Sequence, residues 1–152
     1  MNSKELIEYQ NTHFRVAKKG DKIIIHKNFI PYLDRMNEIA KKHTMYIIVV
    51  DSIRYNLNVV GAIVPPAKMG NHLVGFALDC NLMDIETKEY YNSKKMSDGK
   101  GEDEELIQEI INKGGLRWGG NFKTKDVVHF DYQINLHNPK EWHRIYKELQ
   151  KK

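Results

Sequence analysis

The chain has 152 residues, a formal net charge of +4 and a pI near 9.0. This length suits one domain with a real core, so we expect residues 1–152 to form a single domain. The modest charge, with basic and acidic residues mixed along the chain, gives little support to a nucleic-acid-binding protein, which needs a basic patch interleaved with aromatic residues. The single cysteine, Cys80, excludes an internal disulfide, and its apolar neighbours predict burial as a small hydrophobic residue.

The N-terminal segment, Met1 to Glu8, is charged and lacks the apolar core of a signal peptide. No apolar run approaches the length of a membrane span. We therefore expect a protein without membrane or nucleic-acid partners, and we expect it to be a monomer.

The first elements are expected to be short. Ser3 can cap a helix over residues 4–10, and residues 22–26 are typical of a β-branched strand. His26, at the end of that strand, is expected at the surface. A longer helix is predicted over residues 28–42, with Asn28 as its cap and apolar residues at helical spacing.

Residues 45–50 form a continuous apolar run, which predicts a strand buried on both faces. This strand brings Ser52 and Arg54 to its end. An arginine there can present a planar fork of donors to a substrate carboxylate, or it can form an ordinary ion pair, for instance with Asp51. Residues 56–69 are expected to form a loop or a short helix beside this end.

The next stretch, residues 71–79, places an imidazole and a carboxylate at the two ends of an apolar run. His72 and Asp79 are seven positions apart, so on one regular strand their side chains would point to opposite faces. If both bind one ion, the run cannot be a regular strand. Gly75 is a natural place for a bend, or His72 lies in a loop before the strand, which then continues through residues 82–85.

The C-terminal half predicts a loop, a helix, a strand and a final helix. Residues 92–103 are rich in Ser, Lys, Asp and Gly and predict a surface loop, followed by a helix over residues 104–113 that stops at a Gly-Gly pair. Residues 127–134 alternate as a strand. Asn138 as a cap and Pro139 at the first helical position begin the last helix.

A second stretch, residues 118–131, also carries polar groups that could belong to the same site. The alternation places His129 and Asp131 on the same face of the predicted strand. Asp126 has the opposite parity, so it must lie in the turn that enters the strand if it is to reach the same site.

Two histidines and one aspartate, here His72, Asp79 and His129, make the ligand set of a catalytic zinc, which leaves a fourth coordination position to water. Asp126 and Asp131 remain as carboxylates that can move a proton. The two stretches therefore predict a zinc hydrolase.

Together the two stretches resemble the zinc peptidases that cut bacterial cell-wall peptides, which include D-alanyl-D-alanine carboxypeptidases and dipeptidases and phage L-alanyl-D-glutamate endopeptidases. The first signature of that superfamily is Ser-x-His, six residues, then Asp, and the second is an acidic residue, two residues, then His. Gly70 stands where the superfamily often has Ser. Asp126 stands where many members have Glu, and an Asp at this position is like the short endolysin-type members. The matching residues are His72, Gly75, Ala77, Asp79, Trp118, Gly119, Gly120, Asp126, His129 and Phe130.

The resemblance implies a fold and a set of roles. The fold is α+β, with a small, mainly antiparallel sheet, flanking helices and a zinc cleft. Asp126 would be the general base, with Asp131 as the second choice or as a partner that orients an imidazole. Substrate would be bound by Arg54, Ser52 and Trp118.

The implied reaction is amide hydrolysis in the stem peptide of bacterial peptidoglycan. The bond expected to be cleaved is the one between L-Ala and D-Glu. The alternatives are removal of terminal D-Ala by a carboxypeptidase and a non-catalytic module that zinc stabilises. A generic basic interaction domain explains neither stretch. A wall-cutting enzyme without an export signal would leave the cytoplasm by another route, as phage endolysins do through a holin.

Overall fold

A computed structural model of the protein describes residues 4–53, 70–92, 96 and 102–150. These residues form an α+β fold, which confirms the predicted fold class. The strands are β1 (Leu6–Glu8), β2 (Phe14–Val16), β3 (Ile24–His26), β4 (Met45–Asp51), β5 (Ala77–Asp84), β6 (Tyr90–Tyr91), β7 (Arg117–Trp118) and β8 (His129–Asp131). The helices are α1 (Ile30–Lys42), α2 (Glu102–Asn112), α3 (Ile134–His137) and α4 (Pro139–Gln150), with 3-10 turns at Lys27–Phe29, Asn71–Val74 and Gly119–Asn121.

The main sheet has the order β2-β4-β5-β8-β7 and is mainly antiparallel. Strand β5 is central: β4 pairs with it along one edge, while β8 and β6 share the other edge. Within the described residues, the pairing of β2 with β4 is the one parallel pairing. Strands β1 and β3 form a separate antiparallel pair. None of the helices that the structure describes has the length and apolar character needed to cross a membrane.

The core lies between this sheet and the helices. The apolar stripe of α1 is buried as its spacing predicted, and Leu33, Met36 and Ala40 are fully inaccessible. Burial of each large aliphatic side chain contributes roughly 1.5–3 kcal/mol. Cys80 is also fully buried, as predicted, and this burial raises the pKa of its thiol. Its thiol is therefore a packing group.

The last helix forms as predicted and supports the turn around residue 72. The Asn138 side chain caps it by accepting a hydrogen bond from the backbone N–H of Glu141 (3.2 Å). Trp142 is buried at 2% exposure, and its indole N–H donates to the carbonyl of Gly70 (3.1 Å). Helix α4 is thus attached directly to the segment that precedes His72.

Three predictions for the N-terminal region are wrong. Residues 4–10 do not form a helix; Leu6–Glu8 pair with Ile24–His26 as a strand, because a tertiary partner outweighs the local cap signal. His26 is fully buried instead of exposed. Its ring stacks on Phe76, and its Nδ1 accepts a hydrogen bond from the backbone N–H of Asn28 (3.0 Å), which caps the 3-10 turn Lys27–Phe29. The predicted cap at Asn28 is also wrong, because Asn28 lies inside that turn and α1 begins after Phe29 without a side-chain cap.

Some boundaries of the elements in the C-terminal half also differ from the predicted ones. The predicted strand over residues 127–134 is reduced to His129–Asp131, since a turn occupies residues 127 and 128 and a short helix begins at residue 134. Within the predicted loop of residues 92–103, Met96 is helical and buried, and α2 begins at residue 102. The predicted excursion of residues 56–69 lies outside the described residues.

Candidate metal centre

His72 and Asp79 do not lie on one regular strand. His72 lies in the 3-10 turn Asn71–Val74, and Asp79 lies in β5. Between them Gly75 has φ 81°, the left-handed region that favours glycine. A Cβ at this position would lie 2.4 Å from the backbone nitrogen of His26, so the turn requires glycine for space as well. This is the irregularity that a shared ion would demand.

The sheet register brings Asp79 and His129 side by side. They are directly opposite each other in the antiparallel pair of β5 and β8. Directly opposite residues on one face have neighbouring side chains. Residues fifty positions apart in sequence therefore meet on one face of the sheet.

The three side chains converge through nitrogen and oxygen atoms. Nε2 of His72 is 3.2 Å and Nδ1 of His129 is 3.4 Å from Oδ1 of Asp79. One potential ligand atom from each residue lies within 4.8 Å of the others, and the side chains are buried at 7–9% exposure. Donors at zinc distances of about 2.0–2.1 Å in a tetrahedron stand about 3.3–3.4 Å apart. The two separations from Asp79 match a tetrahedral ion such as Zn²⁺, and the three residues together can hold a metal ion.

Each imidazole has a hydrogen-bond partner on its other nitrogen. Nδ1 of His72 lies 2.5 Å from the carbonyl oxygen of Ser52, which can only accept, so Nδ1 carries the proton and donates it. Nε2 of His129 lies 2.8 Å from the carboxylate of Asp131 and donates to it. These partners leave Nε2 of His72 and Nδ1 of His129 facing Asp79. Such outer partners typically fix the ring orientation of metal-binding histidines.

The electrostatics of the cluster favour a cation. Burial would raise the pKa of Asp79, but hydrogen bonds with His129 and His72 outweigh it and hold that pKa well below its usual range. Burial would lower the pKa of His129, yet its hydrogen bonds with Asp131 and Asp79 raise it to about 9. The pKa of Asp131 is lowered by His129 and Arg117 against the effect of burial. Two buried carboxylates thus hold positive charge on the imidazole between them.

Asp126 is placed by the turn before β8, as its parity required. Its backbone N–H donates to the carbonyl of Gly119 (2.9 Å), and its own carbonyl accepts from the backbone N–H of His129 (3.1 Å). A Cβ on residue 119 would lie 2.1 Å from the Asp126 carbonyl oxygen, so glycine allows the close approach. The exposed Asp126 is therefore attached to the backbone of His129.

The residues predicted to bind substrate differ in their environments. The indole N–H of Trp118 donates to the carbonyl of Val127 (2.7 Å), which closes the loop that carries Asp126. The hydroxyl of the buried Ser52 accepts from the backbone N–H of Ile24 (3.1 Å), behind His72. Arg54 lies outside the described residues. Substrate binding by these three residues stays a prediction.

The sequence analysis missed Arg117 and Asn71. Both donate to Asp131: Nε and Nη2 of Arg117 lie 2.9 and 2.6 Å from its two carboxylate oxygens, and Nδ2 of Asn71 lies 3.0 Å from Oδ2. Arg117 directly precedes Trp118 and Asn71 directly precedes His72, but adjacency to a motif does not reveal which carboxylate a side chain will reach. Arg117 reaches Asp131 through the pairing of β7 with β8, whereas Asn71 reaches it from the 3-10 turn that carries His72.

Comparisons with known proteins found a family match that covers both stretches. Residues 65–132 match a family model described as D-alanyl-D-alanine carboxypeptidase, a segment just under half of the chain that contains all three grouped residues. The chain is also similar to the crystal structure of the L-Ala D-Glu endopeptidase ChiX of Serratia marcescens, with 16% identity, 73% of this chain and 82% of that chain covered, and a TM-score of 0.45. No curated protein sequence gives a significant match.

Proposed function

Because the resemblance to the zinc peptidases of bacterial cell walls is confirmed over residues 65–132, we propose that this protein is a metal-dependent peptidase that cuts the stem peptide of peptidoglycan. The observation that carries the proposal is the convergence of His72, Asp79 and His129 within 4.8 Å. Each histidine also has a hydrogen-bond partner that fixes which nitrogen faces the cluster.

The ion would be held by Nε2 of His72, Oδ1 of Asp79 and Nδ1 of His129. When bound, zinc acts as a Lewis acid that polarises a carbonyl oxygen and makes water nucleophilic near neutral pH. One anionic and two neutral ligands leave net positive charge at the centre, and a three-residue set leaves a position open for reaction. Asp131 and the Ser52 carbonyl keep the two imidazoles oriented for this task.

Asp126 would be the general base. It would take a proton from the attacking water and pass it to the nitrogen of the leaving amine. Its exposure and its attachment to the backbone of His129 support this role. Asp131 is a weaker candidate, since its carboxylate is buried at 1% exposure and already accepts hydrogen bonds from Arg117, Asn71 and His129. A carboxylate stabilised as an anion in this way is a poor proton shuttle.

The proposed bond is the amide between L-Ala and D-Glu. The Asp126-x-x-His129 spacing is like that of the endolysin-type endopeptidases, and this favours them over enzymes with Glu at the first position. Arg54 would bind a carboxylate of the stem peptide, which carries several, with Ser52 and Trp118 beside it. The net charge of +4 suits an anionic wall polymer.

The second candidate is a carboxypeptidase that removes terminal D-Ala. The description of the matching family model favours it. Both reactions use the same centre and differ only in where the peptide is held, so the products must distinguish them.

The test combines metal content with product analysis. Purified protein is assayed for bound metal, and purified peptidoglycan is digested with and without chelator and zinc add-back. We expect about one zinc per chain and chelator-sensitive release of new amino termini, with mass spectra that show cleavage after L-Ala. Free D-Ala with the L-Ala–D-Glu bond intact would replace the endopeptidase by the carboxypeptidase. Bound zinc without any cleavage would leave a zinc-stabilised binding module, and a chain that binds no zinc after reconstitution would contradict the proposal.

A further inference from the structure

We propose that Arg117 is a positioning residue that fixes His129 as an Nδ1 metal ligand by holding the Asp131 carboxylate in one orientation. This inference rests on the proposed metal site and assigns a role to a residue outside the ligand set. The argument depends on two contacts of the Arg117 guanidinium, one with Asp131 and one with Phe122.

The first contact is a two-point hydrogen bond. Arg117 and Asp131 are directly opposite each other in the pair of β7 and β8, and Nε and Nη2 lie 2.9 and 2.6 Å from the two oxygens of Asp131. Two parallel bonds to a carboxylate fix the plane of that carboxylate, which a single bond cannot do. Because the same carboxylate accepts the Nε2 proton of His129 at 2.8 Å, fixing its plane also fixes the imidazole.

The second contact is with Phe122, whose ring neighbours the same imidazole. The guanidinium carbon of Arg117 stands 4.4 Å from the centre of the Phe122 ring, and the Phe122 ring centre is 5.5 Å from that of His129. Cation–π contact of this kind stabilises a ring in place. Arg117 thus contacts the imidazole's hydrogen-bond acceptor, Asp131, and also a ring beside the imidazole, Phe122.

Without this side chain, Asp131 would keep the donors Asn71 and His129, which both reach its Oδ2 atom. The carboxylate could then rotate about its Cβ–Cγ bond. The imidazole would lose its fixed acceptor and could turn over to present Nε2 to the centre. Lysine can supply the charge of arginine but not the planar fork, so it should restore the function only in part.

The experiment compares Arg117→Gln and Arg117→Lys with the wild-type protein and with Arg15→Gln. Arg15 is a matched control, because its guanidinium also stands over an aromatic ring, at 4.3 Å from the centre of the Tyr46 ring. Zinc affinity is measured by competition with a chromogenic chelator. The ring nitrogens of His129 in the zinc-loaded protein are observed by long-range ¹H–¹⁵N NMR, and circular dichroism reports folding.

We expect Arg117→Gln to bind zinc about 10–100-fold more weakly, which is the usual effect of losing an outer partner of a metal ligand. Arg117→Lys should be intermediate and Arg15→Gln unchanged. In the wild-type protein Nε2 of His129 should carry the proton and Nδ1 the metal, whereas the Gln variant should show both ring orientations. If the Gln variant fails to fold, the Lys variant and its spectrum decide the question.

Zinc affinity within about threefold of wild type in the folded Arg117 variants, with unchanged His129 signals, would overturn the inference and leave the proposed metal site intact. A wild-type protein that binds no zinc would overturn both. Loss of peptidase activity with unchanged zinc affinity and unchanged His129 signals would likewise overturn it, because a displaced substrate would then explain the loss.

Discussion

Asp79 and His129 lie opposite each other on two antiparallel strands, with Oδ1 of Asp79 3.4 Å from Nδ1 of His129. His72 approaches the same oxygen from a turn at 3.2 Å. The sheet supplies two of the grouped side chains and the turn supplies the third. Changes to the turn, to the protonation of the cluster and to the neighbouring loop should therefore have separable effects.

Substitution of the proposed base should reduce turnover without loss of metal. We expect Asp126→Asn to lower kcat by roughly two to four orders of magnitude, the usual size of a general acid-base contribution. Zinc content should be unchanged because Asp126 is not among the grouped residues. Asp21→Asn, which changes an exposed aspartate outside the centre, is the control. Full turnover in the Asp126 variant, together with an inactive Asp131→Asn variant, would move the role to Asp131.

The turn at residue 75 should tolerate no side chain. Gly75→Ala combines a positive φ of 81° with a Cβ 2.4 Å from backbone, so we expect a loss of more than about 2 kcal/mol in the free energy of unfolding and weaker zinc binding. Gly20 is a matched control, since its φ is 94° but nothing lies within 4 Å of an added Cβ. Gly20→Ala should cost only about 1 kcal/mol. Urea unfolding measures both, and equal losses would contradict the close-approach argument.

The metal-free protein should lose stability at high pH. The folded-state pKa of His129 is raised to about 9, above its unfolded value of 6.5, so its contribution is fully present below pH 6.5 and is lost as the pH rises through 9. The change is on the order of 3 kcal/mol, at about 1.4 kcal/mol per pKa unit. Urea unfolding of chelator-treated protein between pH 6 and 10 measures it. His129→Gln should flatten this dependence, and a wild-type profile equally flat would refute the charged imidazole.

Acid should act through a different histidine. Burial lowers the pKa of His26 despite the opposing effect of Glu5, so its contribution is present above pH 6.5 and is lost as the pH falls below that value. Protonation of Nδ1 would remove the hydrogen bond that this nitrogen accepts from Asn28. We expect the Tm of the wild-type protein to fall between pH 6.5 and 5.

The variant His26→Asn tests the assignment. Its side-chain oxygen can accept from Asn28 at every pH, so the variant should be less stable overall, because it lacks the stack on Phe76, but should show a flatter Tm profile above pH 5. Glu5, whose pKa is lowered by its hydrogen bond with Arg144, titrates below that range. If the variant were as acid-sensitive as the wild type, a group other than His26 would cause the loss of stability in acid.

The sequence determined the features that depend on neighbouring residues. Helical spacing predicted α1, the cap at Asn138 predicted α4, and parity required a break between His72 and Asp79, which the structure places at Gly75. These are local features because period, capping and backbone freedom act within a few residues. The sequence also singled out the residues that the structure groups, although their roles stay predictions.

Only the tertiary structure decided which distant groups meet. Strand pairs between distant parts of the chain decide three features of this protein. They set Asp79 opposite His129, bring Arg117 to Asp131, and bury His26. Local patterns do not specify such pairs, because a strand's alternation fixes which face a side chain occupies but not which strand will lie beside it. Residues 4–10 likewise carry a local helix signal, yet Leu6–Glu8 form a strand because β3 lies beside them as a partner.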